Sequence, residues 1–243
     1  MTPRKAAPPT RERGRDAYHH GNLPEALVLA ARRLVRERGA KGFSLADVCR
    51  AAGVSVAAPY RHFASREELL AALAARGFEE LGAALSAALE EGDGIADALA
   101  RMAGAYLAFA RRRPAEYALM FANSAGVLLP EGTRTRAGPT AYDRRAARGG
   151  EAHRHARHAQ QLGSALFRLV VARLAEQAST PAERALFAGD GGRRTVSAFW
   201  ALCHGVAALG VARHLDREWL DPALVVDRLV APWLAGLVGR DAR

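Results

Sequence analysis

Tyr60, Arg61, His62 and Phe63 follow Pro59 without interruption, inside the short segment GVSVAAPYRHFASREEL (residues 53–69). A phenol, a guanidinium and an imidazole crowded on one element are donors suited to phosphate oxygens and to polar base edges. A second cluster, His153, His155 and His158 in EAHRHARH, has the residue type of a metal site. No cysteine or carboxylate completes it and its flanks are arginine, so no bound metal is expected. Trp200 and His204 in FWALCHGVAAL share a helix face at i and i+4, where packing, dimerisation and ligand contact are all open to them. No Gly-rich phosphate loop, metal-ligand spacing or nucleophile motif stands out, so neither a cofactor nor an enzymatic activity is expected.

The donors at 60–62 need an element to present them. Asn22 with Glu25 has the form of a capping box, Pro24 fits a first turn, and Leu27, Ala30, Ala31, Leu34 and Val35 recur on one face, predicting a helix over about 23–38 that Gly39 ends. Ser44 and Asp47 open a two-turn helix that closes at Gly53, a residue free to take the positive φ of a sharp turn. Ser55 is the expected cap of a third helix over 56–63, and Ser65 with Glu68 the cap of a fourth. Two turns are too few to be stable alone. Val54, Ala58 and Phe63 should therefore hold the third helix against the first two, leaving Tyr60, Arg61 and His62 on its free side. Three helices with a tight glycine turn between the last two form a helix-turn-helix, whose counterpart in a basic segment is the major groove of DNA.

The stretch SLADVCRAAGVSVAAPYRHF (44–63), followed by ASREELLAAL, resembles the DNA-binding segment of the tetracycline-repressor (TetR) family of bacterial transcription regulators. The likeness covers about residues 18–85. It rests on the Gly-Val-Ser turn, the Tyr-x-His-Phe end of the third helix and the charged start of the fourth. Ala58-Pro59 replaces the Thr-Leu common in that family and Arg66 replaces its usual lysine. Trp200, His204 and Gly205 resemble the Trp-His-Gly signature of one of its C-terminal domain types. Together the residues and the resemblance nominate Lys41, Ser44, Ser55, Val56, Ala57, Tyr60, Arg61, His62 and Arg66 as DNA-facing. Phe63 is assigned to the core.

Beyond the head the pattern stays helical, giving an all-α expectation with a basic arm at 1–17, a DNA-binding domain at 18–82 and a ligand-binding and dimerisation domain at 83–243. Leu70, Leu73, Phe78, Leu81, Leu85 and Leu89 mark a long connecting helix, and Asp93 is the expected cap of the next. Residues 123–150 lack periodicity and are expected to be poorly ordered. Thr180, Pro181 and Glu183 form another capping sequence. The last two helices, expected over about 193–215 and 222–238 with a kink at Pro232, are apolar around most of their circumference and so need two partners. One is the domain's own core and the other a second copy of the chain. Met102, Tyr106, Phe109, Met120, Phe121, Phe167, Trp200 and His204 are the candidate contacts of a small-molecule ligand of unknown identity.

Charge supports this division. Residues 1–70 hold 13 Lys and Arg against 7 Asp and Glu, whereas 71–130 hold 5 against 7, so the expected double-stranded DNA partner faces the basic first quarter. No apolar run approaches the roughly 20 residues of a membrane span, and no secretory signal is evident, which predicts a cytoplasmic protein without a membrane partner. Cys49 and Cys203 lack metal spacing and read as reduced core thiols. The resulting expectation is a homodimeric, ligand-responsive repressor on an inverted-repeat operator. A low-specificity DNA-coating protein, and an enzyme acting through the C-terminal domain, are the competing readings.

Overall fold

The computed structural model describes residues 22–90, 94–121, 154–216 and 221–240, which form helices and turns with no strand among them. The expectations for the arm at 1–17, for Asp93, for His153 and for the 123–150 loop lie outside the described residues.

Helix α1 spans Leu23–Arg38, and Asn22 Oδ1 accepts the Glu25 N–H at 3.3 Å. Helix α2, Leu45–Ala52, opens with a reciprocal Ser44–Asp47 capping box, whose hydrogen bonds from Ser44 hold the Asp47 carboxyl down at about 2. Gly53 closes α2 at φ 69°, ψ 29°, in the left-handed region that glycine enters without steric cost.

The predicted third helix does not form as drawn. Only Pro59–Arg61 is helical, as a single 3₁₀ turn. Ala58 N–H bonds to Ser55 O at 3.0 Å and His62 N–H to Pro59 O at 2.8 Å, both three residues back. Pro59 has no N–H with which to continue an α-ladder from Ser55, so the segment tightens instead. Ser55 therefore caps no helix: Ala58 precedes the turn, and no side chain caps it.

Helix α3, Arg66–Glu90, is the rod, and Ser65 Oγ accepts the Glu68 N–H at 3.2 Å at its start. Its last carbonyls would otherwise be orphaned. Arg101 donates to Ala88 O at 2.9 Å and Gln177 to Leu89 O at 2.7 Å. Helix α4, Ile95–Arg112, has Gly94 at its cap position with φ 119° and no side-chain cap. Helices α5 (Pro114–Phe121), α6 (Arg154–Glu176), α7 (Pro181–Phe187) and α8 (Gly191–Val211) follow, α7 opening with the Thr180–Glu183 capping box. Helix α8 stops four residues earlier than the sequence predicts, and Arg213 just beyond it takes φ 60°. Helix α9, Pro222–Val225, runs through a π-turn at Val226–Val230 into α10, Ala231–Arg240. The distortion expected at Pro232 thus falls in the turn before it, where the missing proline N–H is absorbed by widening the ladder.

Two hydrophobic cores result. One packs α1, α2 and Phe63 around the first turns of α3, through Leu27, Val35, Val48, Leu69 and Leu73. The other gathers the rest of α3 with α4, α5, α6 and α8–α10. They meet on α3 between Leu73 and Ala74, so one rigid helix serves both. At Gly77 a Cβ would stand 2.6 Å from Met120 Sδ, which explains why α3 and α5 approach so closely there. An ionic cluster covers the junction: Arg32 of α1 reaches Glu80 at 2.8 Å and Glu116 at 3.0 Å, Arg76 pairs with Glu25, and Arg113 pairs with Glu80.

One described helix, α8, has the length and hydropathy of a membrane span, which the run-by-run reading of the sequence missed. Val196, Phe199, Cys203, Val206 and Ala207 on it are buried in the second core, so its inner face is already used.

Candidate DNA-reading surface and buried cavity

The 3₁₀ turn is pinned from behind. Pro59 and Phe63 are buried, Val54 packs on the head core, and the Phe63 ring lies 5.3 Å from that of His155 on α6. Arg154 of α6 donates to His62 O at 3.2 Å, and the His155 N–H to Glu68 Oε2 at 3.4 Å. What remains outward is Ser55, Val56, Ala57, Tyr60 and Arg61, with Tyr60 60% and Val56 57% exposed. Large apolar and aromatic groups left in water beside an arginine are what a groove-reading surface presents.

The other nominated residues are placed differently. His62 is half-buried, Lys41 is exposed on the α1–α2 turn, and the Ser44 hydroxyl is engaged with Asp47. Arg66 folds back: its guanidinium donates to Phe43 O at 2.9 Å and to Ala40 O, and lies 4.9 Å above the Phe43 ring. It thereby fixes the turn that carries Lys41. The sequence did not single out Arg154, because its contact spans 92 positions and leaves no local signal.

In the second core, α3, α4, α6 and α8 line a partly open cavity of about 50 Å³, formed by Leu81, Leu85, Met102, Tyr106, Leu166, Phe167, Val170, Val196, Phe199, Trp200 and Cys203. Met102, Tyr106, Phe167 and Trp200 were nominated from sequence. Phe109, Met120, Phe121 and His204 lie outside the lining, and the aliphatic members were missed because they resemble any helical core. Burial drives the Cys203 thiol up to about 12, so it is protonated and unreactive.

Behind Tyr106 lies a polar triangle. The Tyr106 and Tyr117 hydroxyls are 3.1 Å apart, and His204 Nδ1 stands 2.9 Å from the first and 2.7 Å from the second. The Trp200 indole stacks on His204 at 4.8 Å, and Phe121 meets its edge at 4.6 Å. Burial raises both phenols well above their ordinary range and lowers the imidazole. The neutral imidazole and the two phenols share these three contacts, with the ring's tautomer setting which atom donates.

Acid is accordingly expected to loosen the fold. Unfolded His204 takes a proton at about pH 6.5 while the folded ring resists it, so stability is lost as pH falls below that value. His155, lowered by burial and then by Arg154 and His158, acts with the same sign. Thermal melts between about pH 7.5 and 5 check this, with His204→Gln expected to flatten the dependence.

Comparison with known proteins accords with this geometry. Residues 27–73 match the family described as bacterial regulatory proteins, tetR family, and residues 99–232 the tetracyclin repressor-like C-terminal domain. A solved protein of unknown function from Rhodococcus sp. RHA1 is 31% identical, over 92% of this chain and 99% of that one, with a TM-score of 0.65. Two others share the fold at low identity. The TetR family transcriptional regulator PfmR from Thermus thermophilus is 21% identical over 88% and 93% of the two chains, with a TM-score of 0.51. The fatty acid degradation regulator FadR from Bacillus halodurans is 13% identical over 84% and 98%, with a TM-score of 0.55. No curated protein matches the sequence. With both characteristic domains matched in order along one chain, the protein belongs to the TetR family of DNA-binding transcriptional regulators.

Proposed function

We propose that the protein is a homodimeric repressor that leaves an inverted-repeat operator when a small molecule fills the cavity of its second domain. The observation that carries this reading is the double role of α6. Its first turn holds the DNA-facing segment through Arg154 and His155, while Leu166, Phe167 and Val170 further along it line the cavity. Helix α3 has the same double attachment, with Leu69 and Leu73 in the head core and Leu81 and Leu85 at the cavity. A ligand that shifts either helix alters the head, provided it binds the two arrangements with different strength. We take residues 18–82 as the DNA-binding domain, 83–243 as the regulatory one, and the bacterial cytoplasm as the place of action.

Dimerisation is assigned to α8 and α9–α10. Leu209 is 47% exposed, Ala201, Ala231 and Ala235 are exposed on the same helices, and a Cβ at Gly205 or Gly236 would meet nothing within 4 Å. Glycines that one protomer does not require suit the close approach of a partner helix. Gly205→Leu is therefore expected to keep or slightly raise the melting temperature, since glycine is a poor helix former. It should nonetheless shift the protein to monomer, as light scattering would show.

The function itself is tested by selecting bound duplexes from a random pool at fixed salt. Two reading heads on one face of DNA predict enrichment of an inverted repeat with half-sites about 34 Å apart. Recovery of unrelated sequences, each displaced equally by random DNA, would instead support the coating-protein reading.

A further inference from the structure

The outward groups of the turn differ in what they can read. Tyr60 and Arg61 carry a phenol and a guanidinium, which bond to phosphate oxygens as readily as to base edges, so their exposure alone implies no sequence preference. Val56 is different. It is 57% exposed, and an aliphatic side chain makes no hydrogen bond to a phosphate oxygen. The apolar feature that a base edge offers in the major groove is the C5 methyl of thymine.

The backbone explains why Val56 stands so far out. Ala58 N–H bonds to Ser55 O at 3.0 Å, closing a tight turn with Val56 and Ala57 at its two corners. Both are exposed, and neither takes a positive φ. Corner positions of a surface turn favour Gly, Pro, Asn, Asp and Ser, so a β-branched apolar residue is not what the turn itself requires. Nor does packing require it, since Val56 belongs to neither hydrophobic core. Its χ1 is restricted by the branching at Cβ, so the two methyl groups lose little freedom on contact. Pro59 and Phe63, buried behind the turn, hold them at a fixed height.

We infer that Val56 is a specificity-determining residue, its methyl groups seated against the C5 methyl of a thymine at a fixed position in each half-site of the operator. This rests on the reading of the turn as the DNA-facing segment. Tyr60 fixes the register on the backbone while Val56 reads the base, so affinity and specificity are divided between two residues four positions apart.

The test uses the full-length protein and the inverted repeat recovered by duplex selection. Each thymine of the half-site is replaced in turn by deoxyuridine, which removes the C5 methyl and leaves every base-pairing group in place. Anisotropy titration is expected to find a position where the replacement weakens binding about four-fold in one half-site, the effect of one methyl group kept from water, and about fifteen-fold in both. At that position 5-methylcytosine should bind better than cytosine, because it restores the methyl on a different base. In Val56→Ala the thymine and deoxyuridine duplexes should bind alike. A half-site without thymine, tolerance of deoxyuridine at every position, or a deoxyuridine effect that persists in Val56→Ala would each overturn the proposal, the last by placing the effect in duplex shape. The wild-type scan decides even if the variant fails to fold. Failure of the selection to yield any inverted repeat would sink the regulator reading and this one with it, whereas an inverted repeat indifferent to methyl removal would sink this one alone.

Discussion

Tyr60→Ala is expected to weaken operator binding by a factor on the order of 100 or more, with oligomeric mass and helix content unchanged. The side chain is 60% exposed, so truncating it removes little packing and creates no cavity. Its proposed role is a hydrogen bond from the phenol to a phosphate. Bonds to charged groups contribute about 1.5–3 kcal/mol each. A symmetric dimer presents the residue twice, so the loss is at least about 3 kcal/mol, or two orders of magnitude in Kd. Tyr60→Phe separates the hydroxyl from the ring and should recover only the share owed to stacking and shape. Because a phosphate contact carries no sequence information, the weakening should fall evenly on good and poor operators. Electrophoretic or anisotropy titrations at one salt concentration measure it, and wild-type affinity in Tyr60→Ala would move the contact surface elsewhere.

The legibility of this surface differed sharply from that of the cavity. Capping chemistry is local, so the Ser44–Asp47 and Thr180–Glu183 boxes and the ends of α1 were readable at residue level. Apolar spacing around Phe63 placed that ring inward and Tyr60 and Arg61 outward, as found, but it also put the half-buried His62 on the free side. The turn's secondary structure departs from the expected helix because Pro59 sits in the middle of 56–63 and, lacking the N–H that would bond to Ser55, tightens the segment to 3₁₀ geometry. The ties from Arg154 and His155, and the approach of His204 to Tyr106 and Tyr117, bridge from 87 to 98 positions. Such contacts leave no periodic trace. Nor can a sequence tell a cavity wall from ordinary core, since Leu81 and Leu85 obey the same 3.6-residue spacing whether the space beside them is filled or empty.

Arg32→Met is expected to cost about 3–5 kcal/mol of stability, the loss that follows when one member of a buried ion pair is removed. Arg32 leaves α1 to contact both Glu80 and Glu116, and the Glu116 side chain is only 4% exposed. Methionine preserves most of the aliphatic stem, so the loss isolates the charge rather than the packing. Arg113 still faces Glu116, at 3.8 Å, which places the result toward the lower end of the range. For a chain of this size about 3 kcal/mol corresponds to a fall in Tm of roughly 6–12 °C. Adding Glu116→Gln removes the stranded carboxylate and should recover more than half of the loss, a sign of coupling that independent sites would not give. The cluster joins α1 of the head to α3 and α5, so the same variant should uncouple the two cores. Hydrogen exchange would then show α1 and α2 opening before α4 and α8, whereas simultaneous opening would mean that packing along α3 alone holds the head in place.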